Sequence, residues 1–270
     1  MTSKILLVGC GNMGYAMLEG WLSVKEELEI WVVERAETLR ERASGAEAIA
    51  YTNVSDLPES FSPDLIFLAV KPQVMSKVLL DYKRWSGGRT TFISVAAGLT
   101  VDFFENALPG ATPVIRCMPN TPASIGAGAI VCYANSHVSQ STKVLTERLL
   151  SCSGSVSYVE DENLMDAVTA ISGSGPAYVF YFIEALKQAG EATGLPPQLA
   201  LKLATQTVYG AASLAKQSEE APDKLRERVT SPAGTTAAAL DIFMTENRLM
   251  NLVSEAVKAA AKRSVELSNI

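Results

Sequence analysis

The sequence predicts an α/β protein in which a region built on a parallel sheet is followed by an all-helical region. Over the first half of the chain, short apolar runs rich in β-branched residues alternate with helical stretches, which is typical of a parallel sheet with crossover helices. The first run ends in a glycine-rich turn. From Glu162 onward no strand pattern remains, and long segments rich in Ala and Leu show helical spacing. We therefore predict two domains, residues 1–161 and 162–270.

The glycine-rich turn has the pattern G-x-G-x-x-G. The predicted strand Lys4–Val8 runs directly into this turn, Gly9–Gly14, and a helix is predicted over Tyr15–Val24. In such a motif the first glycine allows the tight turn, the second lets backbone approach a pyrophosphate, and the third lets helix and strand touch. The start of the helix offers N–H donors and a partial positive charge to phosphates. The predicted apolar face of the helix is Met17, Leu18, Trp21 and Leu22.

A second predicted strand, Glu29–Val33, ends in an acidic residue. Glu34 follows the last glycine of the turn by about 20 residues, the distance at which an acid reaches a ribose hydroxyl. Turn and acid together predict a Rossmann-type dinucleotide-binding domain. The other predicted strands are Asp64–Val70, Thr90–Val95, Pro113–Cys117, Gly128–Tyr133 and Val156–Val159.

The second region is predicted to consist of helices. Glu162–Gly194 is predicted to be one long helix interrupted at Ser172–Pro176, because proline removes a helix hydrogen bond and glycines relax the backbone. The later helices are Pro197–Gln217, Asp223–Val229 and two more after Gly234 and Asn247. The second helix carries a stripe of small residues that lets another helix approach closely: Ala200, Leu203, Ala204, Thr207, Val208, Ala211, Ala212 and Ala215. A long-helix, alanine-rich domain beside a nucleotide fold favours a dimer interface over packing within one chain.

Ligands of open α/β sheets lie outside the carboxyl ends of the strands. The segments predicted there are Ala69–Gln73, Val95–Gly98 and Met118–Pro122, whose small residues and prolines would form rigid walls for a flat ring such as nicotinamide. A second candidate site is Val229–Thr236, a helix start with several hydroxyls and unpaired N–H donors, suited to a carboxylate. The alternative interpretations are that the glycines and prolines of the first three segments merely form ordinary loops, and that Val229–Thr236 merely caps a helix.

Composition excludes several classes of function. Hydrophobic residues make up 48% and charged residues 19%, which indicates a globular protein. The net charge of -6 argues against nucleic acid or an anionic membrane as partner. The apolar run Gly175–Ile183 is too short to span a bilayer, and Met1–Lys4 leaves no room for a signal peptide before the first strand. We expect a cytoplasmic protein with a small-molecule substrate.

The cysteines and the single histidine predict no metal site. The four cysteines are widely spaced and form no C-x-x-C pair, so we expect reduced thiols. His137 falls in a predicted surface loop and is not expected to take part in catalysis. Dehydrogenation of a hydroxyl usually recruits a His or Lys base, whereas a protonated C=N accepts hydride directly.

Taken together, the motifs resemble those of the pyrroline-5-carboxylate reductase family, over essentially the whole chain. The segments that carry the resemblance are Gly9–Gly14, Ala69–Pro72, Ser94–Gly98, Met118–Pro122, Ile171–Tyr178 and Val229–Thr236, the last two being the most specific. The resemblance implies reduction of 1-pyrroline-5-carboxylate to L-proline by NAD(P)H, the last step of proline biosynthesis. It also implies that the helical domain interlocks with a partner subunit in a homodimer, with dimers often assembling further into a decamer.

The resemblance also implies roles for individual residues. Thr236 would hydrogen-bond the ring nitrogen and act in catalysis. Ser231 and the amides of Gly234, Thr235 and Thr236 would hold the substrate carboxylate, with Glu219 nearby. The implied cofactor-binding residues are Gly9, Gly11, Asn12, Met13, Gly14, Glu34, Arg35, Asn53, Ala69, Val70, Lys71, Pro72 and Ala97.

The sequence departs from the family at the end of the second strand. Many members carry Asn or Ser before Arg there, whereas this chain has Glu34-Arg35. Glu34 would repel the 2′-phosphate of NADPH and accept a ribose hydroxyl, while Arg35 would attract the phosphate. NADPH is the cofactor expected from the resemblance, and NADH is possible.

Two other functions are compatible with a dinucleotide-binding half. A β-hydroxyacid dehydrogenase would need a catalytic Lys and, one turn later, an Asn, but the corresponding positions hold Val179 and Ile183. A non-enzymatic regulator that binds dinucleotide would keep the glycines but would have no need of the threonine-rich helix start at Thr235-Thr236.

Overall fold

The computed structural model describes residues 2–23 and 28–268. The described strands are β1 (Ser3–Val8), β2 (Leu28–Val33), β3 (Ile49–Tyr51), β4 (Leu65–Leu68), β5 (Thr91–Ser94), β6 (Val114–Met118), β7 (Gly128–Ala134) and β8 (Gly154–Tyr158). The helices are α1 (Asn12–Ser23), α2 (Glu37–Gly45), α3 (Pro72–Tyr82), α4 (Val101–Ala107), α5 (Gln140–Ser151), α6 (Met165–Val168), α7 (Gly175–Ala192), α8 (Pro197–Gln217), α9 (Pro222–Arg228), α10 (Thr235–Met244) and α11 (Arg248–Ser268). Val24, the predicted end of the first helix, lies outside the described residues.

The strands form one sheet in the order β3-β2-β1-β4-β5-β6-β7-β8. The first six in this order are parallel to their neighbours, as predicted, but β7 runs antiparallel to β6. The sequence pattern identifies β7 and β8 as further strands of the sheet but does not predict this change of direction. The reason is the short connection from Pro119 to Ala127, which holds only the 3₁₀ turn Thr121–Ile125 and leaves no room for a crossover helix. Strand β3 was not predicted.

Alternate residues of the central strands point to opposite faces of the sheet, and helices cover both faces. Ile5 and Leu7 of β1 pack with Trp21 of α1, while Leu6 and Val8 join the core formed with α3 and α4. Each of these side chains is almost completely inaccessible to solvent. A sheet buried on both faces needs nearly continuous apolar strands, which is why these runs were visible in the sequence.

All three tryptophans belong to this sheet region. The ring of Trp21 lies 4.7 Å from that of Phe67. Trp31 stacks on Phe61 at 4.2 Å, and Trp85 meets Phe61 edge-on at 6.3 Å.

The described residues form two compact units. The first comprises the residues up to Gly173 together with those from Ala260 onward, and the second runs from Ser174 to Ala259. Helix α11 contributes residues to both. The division into domains 1–161 and 162–270 is based on the change of sequence pattern at residue 162, and it remains a prediction.

The interruption predicted near Ser172–Pro176 is present with a different geometry. Helix α6 ends at Val168, a π-helical turn follows over Thr169–Gly173, and α7 begins at Gly175. Pro176 therefore occupies the first turn of a new helix, where its missing N–H removes no intrahelical bond. The interruption therefore lies at Ser174, between the π turn and the start of α7.

Helices of the second unit leave many apolar side chains exposed on this chain. In the predicted stripe of α8 only Ala200 and Ala204 are buried. They pack near α7, where a Cβ added at Gly190 would lie 3.4 Å from the Cβ of Ala200. Phe180 and Tyr181 of α7 are 58% and 72% exposed.

Candidate functional site

The glycine turn after β1 has the geometry that its sequence predicts. Gly9 has φ +88°, and a Cβ there would lie 2.9 Å from the carbonyl oxygen of Ala69. A Cβ at Gly14 would overlap the carbonyl oxygen of Gly9, so helix α1 touches the strand end at this point. At Gly11, by contrast, a Cβ would meet nothing within 4 Å. The turn therefore leaves open the one position at which a phosphate must approach the backbone.

Beside this turn lies a cleft of about 640 Å³ in the first unit. Five of the predicted cofactor residues line it: Gly9, Glu34, Arg35, Asn53 and Val70. Gly11, Asn12, Met13 and Gly14 lie in the turn or in the first turn of α1, outside the lining. Ala69 and Lys71 lie between β4 and α3, and Pro72 is the first residue of α3. Ala97 is exposed in the loop after β5, and all four lie outside the lining.

The sequence did not identify one wall of the cleft, which is a face of α3. Val74, Lys77, Val78 and Asp81 follow one another at helical spacing and all line the cleft. The spacing was visible in the sequence, but the packing of this helix beside the end of β2 was not. Arg35 extends toward this wall, where its Nη2 lies 3.7 Å from Oδ2 of Asp81 in an exposed pair.

The carboxylate of Glu34 is held by backbone. Its Oε2 accepts a hydrogen bond from the N–H of Cys10 at 2.7 Å, and its Oε1 accepts one from Ala36 at 2.8 Å. Glu34 therefore joins the end of β2 to the glycine turn and places a negative charge at the cleft. Burial raises the pKa of the Cys10 thiol to about 11, with Glu34 raising it further and the nearby Arg42 opposing both. The thiol is thus protonated at neutral pH.

The loop after β6 is anchored to the π turn. The side-chain amide of Asn120 donates to the carbonyl oxygen of Ser172 at 2.9 Å, and its Oδ1 accepts from the N–H of Ala129 at 2.9 Å. Nearby, Arg116 forms a largely buried ion pair with Glu162 at 2.8 Å, and Glu162 also accepts from the N–H of Val101. One of the strand-end loops predicted to lie near a ligand, Met118–Pro122, is therefore fixed in place by the side chain of Asn120.

The predicted carboxylate site belongs to the second unit and is a helix start. Gly234 is the N-cap of α10, and its N–H donates to the carbonyl oxygen of Ser231 at 3.0 Å. Ala233 has φ +56°, so the chain turns sharply into the helix. The first N–H groups of a helix have no intrahelical acceptor, which leaves those of Thr235 and Thr236 available. Thr236 is half-buried, whereas Ser231 and Thr235 are exposed.

The structure also locates the more peripheral predicted residues. Glu219 is exposed in the segment between α8 and α9, next to Glu220, which forms a two-pronged pair with Arg228 at 3.0 and 2.9 Å. His137 is exposed in the loop after β7. Within residues 2–23 and 28–268, no group of three or more His, Cys, Asp or Glu side chains is placed to hold a metal ion. In the same part of the chain, no helix combines the length and the apolar character needed to cross a membrane.

Comparison with known proteins agrees with these features. Residues 162–267 match the family model described as pyrroline-5-carboxylate reductase dimerisation, and residues 4–98 match that of the coenzyme F420-dependent NADP oxidoreductases. The pyrroline-5-carboxylate reductase of Pseudomonas aeruginosa is 40% identical over 268 residues, which span 99% of this chain and 97% of the relative. The chain belongs to the pyrroline-5-carboxylate reductase family.

Solved structures of the family show the same fold. The pyrroline-5-carboxylate reductase of Coxiella burnetii is 34% identical and superposes with a TM-score of 0.93, covering 99% of both chains. That of Plasmodium falciparum, described with NADP bound, is 29% identical with a TM-score of 0.79, covering 98% of both chains. This chain is accordingly an NAD(P)-dependent oxidoreductase with a Rossmann-type domain and a helical dimerisation domain.

Proposed function

We propose that this protein reduces the C=N bond of 1-pyrroline-5-carboxylate to give L-proline, the last step of proline biosynthesis. The observation that carries the proposal is the start of α10, where the segment Ser231–Thr236 holds three hydroxyls and the available N–H groups of Thr235 and Thr236. Full-length similarity to reductases of this name supports it.

Each group at the helix start has a chemical task in this proposal. The amides of Thr235 and Thr236, with the Ser231 hydroxyl, bind the carboxylate of the imino acid, since a helix N-terminus favours an anion. The amide of Gly234, which donates to the Ser231 carbonyl in this structure, joins them by exchanging that acceptor for the carboxylate. The hydroxyl of Thr236 hydrogen-bonds the ring nitrogen and orients the C=N bond. Glu219 is proposed to lie near the substrate. No side-chain base is required, because a protonated imine is already electrophilic.

The first unit fits a dinucleotide. The open position at Gly11 and the free N–H groups at the start of α1 suit a pyrophosphate, and the carboxylate at the cleft suits a ribose hydroxyl. Asn12 and Met13 would contact the pyrophosphate, and the walls Ala69–Pro72 and Ala97 the flat ring. When bound, the reduced nicotinamide supplies the hydride. The protein's contribution is to position the two reactants.

The cofactor proposal follows from the two charges at the end of β2. We propose that the enzyme accepts NADPH, as the family resemblance implies, and also NADH. Arg35 and Lys77 supply positive charge for a 2′-phosphate at the cleft, whereas Glu34 opposes it and suits a free ribose hydroxyl.

We further propose a homodimer formed through the helical region, either alone or assembled further into a decamer, and a cytoplasmic location. The dimer is supported by the exposed apolar residues of α7 and α8 and by the match of residues 162–267 to a dimerisation family. Residues 1–161 would then bind the cofactor, and residues 162–270 the substrate and the partner subunit.

The test is to follow oxidation of NADPH and NADH by absorbance with 1-pyrroline-5-carboxylate as substrate. Oxidation with formation of proline supports the proposal, and cofactor binding without oxidation would favour a regulator. Thr236→Ala is expected to reduce kcat by about two orders of magnitude, the usual scale for a group that acts on the transition state, with cofactor affinity retained. Thr245→Ala, at the other end of α10, is the control and should behave like wild type.

A further inference from the structure

A residue that no sequence motif identifies, Arg42, contacts the glycine turn. Arg42 is half-buried in α2. Its Nη2 lies 3.0 Å from the carbonyl oxygen of Cys10 and 3.4 Å from that of Gly11. Its guanidinium carbon lies 3.8 Å from the centre of the Tyr15 ring in α1. One cation therefore contacts two successive carbonyls of the turn and the helix that follows it.

Charged groups fix Cys10 on both sides. Its N–H donates to the Glu34 carboxylate at 2.7 Å, and its carbonyl oxygen accepts from Arg42. Hydrogen bonds to ionised groups are about twice as strong as those between neutral groups. Two successive peptide groups of the turn are thus each oriented by a charge, one negative and one positive.

The direction of these carbonyls decides where the phosphate-binding donors point. In a trans peptide the C=O and the N–H point in opposite directions. Since the carbonyl of Cys10 is directed at Arg42, the N–H group of Gly11, in the same peptide group, is directed away from it. The carbonyl of Gly11 accepts from Arg42 at 3.4 Å and also from the N–H of Tyr15 at 2.9 Å, the first hydrogen bond of α1. Donors at the start of a helix lack intrahelical acceptors and are the groups that bind a pyrophosphate. Arg42 therefore orients the N–H of Gly11 through the Cys10 carbonyl and, together with the first hydrogen bond of α1, that of Asn12, without itself contacting the phosphate.

One atom of the Arg42 guanidinium group makes no hydrogen bond to the described residues. Nε of Arg42 is buried and has no hydrogen-bond partner in the part of the chain that the structure describes. An unpaired buried donor costs free energy. The contacts that compensate this cost are the two carbonyls and the Tyr15 ring. A lysine could not make them together, because an ammonium has no planar face to stack and no fork of donors.

We propose that Arg42 is a positioning residue for the pyrophosphate of the cofactor. It preorganises the glycine turn, so that dinucleotide binding depends on it and hydride transfer does not. The inference rests on the proposed function for the identity of the cofactor. Because both cofactors share the pyrophosphate, the contribution of Arg42 is equal for NADH and NADPH, unlike that of Glu34.

The test compares Arg42→Met, which keeps an unbranched side chain without charge, and Arg42→Lys with wild type. Dissociation constants for NADH and NADPH are measured by cofactor fluorescence, and kcat and both KM values by steady-state kinetics. Arg42→Met is expected to raise both dissociation constants about tenfold, the scale of one lost charge-assisted hydrogen bond, with kcat and the KM for the imino acid retained. Arg42→Lys should fall between Arg42→Met and wild type.

Arg84→Met is the matched control. The guanidinium of Arg84 also lies over an aromatic ring, 4.1 Å from the centre of Trp85, but it is not among the groups that contact the turn. The substitution Arg84→Met should therefore leave cofactor affinity unchanged. Should Arg42→Met fail to fold, Tyr15→Leu removes the stacking face and is expected to weaken both cofactors by a smaller and equal factor.

Two failures can be separated. Unchanged affinity for both cofactors in the folded Arg42 variants, or in Tyr15→Leu if those do not fold, would overturn the role of Arg42. Wild-type protein that binds both cofactors but does not oxidise them with the imino acid would overturn the proposed function, and the comparison of affinities would still decide the role of Arg42.

Discussion

At the scale of single residues, we propose that the choice between the two cofactors depends on how firmly Glu34 is held. An acidic side chain free to rotate could turn away from a 2′-phosphate at little cost. Here both carboxylate oxygens accept backbone hydrogen bonds, from Cys10 and Ala36. Moving the carboxylate would break both bonds. Arg35, in contrast, has an exposed side chain whose pair with Asp81, at 3.7 Å, is the one ion pair it makes among the described residues, and it can turn toward a phosphate.

We predict that Glu34→Gln raises the ratio of kcat/KM for NADPH to that for NADH. The expected change is about fivefold, because the interaction between exposed charges is worth up to about 1 kcal/mol. Arg35→Ala should lower the same ratio. Steady-state kinetics with both cofactors measures it. Glu37→Gln, an exposed acid in the first turn of α2, is the control, and an unchanged ratio in Glu34→Gln would show that Glu34 does not discriminate.

At the scale of elements, the contact between the loop after β6 and the π turn rests on Asn120. Its side chain satisfies a carbonyl of the π turn and an N–H of β7 at once. π turns inside helices are frequent at functional sites. We interpret Asn120 as the residue that holds this turn against the sheet.

Asn120→Ala is predicted to reduce the free energy of unfolding by about 2 kcal/mol, because it leaves the partners at Ser172 and Ala129 unpaired. Denaturant unfolding measures the change. The control is Asn163→Ala, whose exposed side chain bonds only to Asp161 among the described contacts and whose removal should cost less than about 0.5 kcal/mol. Equal costs for the two substitutions would contradict the prediction.

The elements differ in how far the sequence predicts them. Long apolar runs buried on both faces, such as those of β1 and β4, are unambiguous. Strand β3 is three residues long and partly exposed, so no repeating pattern marks it. The direction of β7 depends on the length of the connection before it. The spacing of apolar residues within a strand gives no information about that direction.

The same distinction applies to the site. The glycine turn and Glu34 were predictable because their function requires a local sequence pattern. The wall formed by Lys77 and Asp81, and the contact of Arg42 with Cys10, depend on how separate helices pack, and no spacing along the chain encodes that. The adjacent residues Glu34 and Arg35 were visible in the sequence, but the hydrogen bonds that hold the carboxylate of Glu34 in place were not.

At the scale of the whole molecule, the exposed apolar residues of the second unit require a cover. We predict that the wild-type protein sediments as a dimer or a larger oligomer, and that Phe180→Glu combined with Tyr181→Glu shifts it toward monomer, since buried charges without partners oppose association. Analytical ultracentrifugation measures this. Leu80→Glu, at an apolar position of α3 that is 61% exposed, is the control and should not dissociate the protein.

We also predict a loss of stability at alkaline pH. The Cys10 thiol has a pKa of about 11 in the folded protein against 9.0 for an ordinary thiol, so between these values the unfolded chain binds fewer protons than the folded one. The stabilising contribution is complete below pH 9 and is lost as the pH rises to 11. The expected loss from this thiol is about 2 kcal/mol. Denaturant unfolding across this range measures it, and Cys10→Ala should flatten the decline.

The placement of the tryptophans allows fluorescence to report on one unit of the molecule separately from the other. Trp21, Trp31 and Trp85 all report on the packing of the first unit, and the second unit contains none. Indole emission therefore monitors melting of the sheet alone, whereas far-ultraviolet circular dichroism is dominated by the helices. If the two signals change at different denaturant concentrations, the units unfold separately, and coincident midpoints would mean a single cooperative transition.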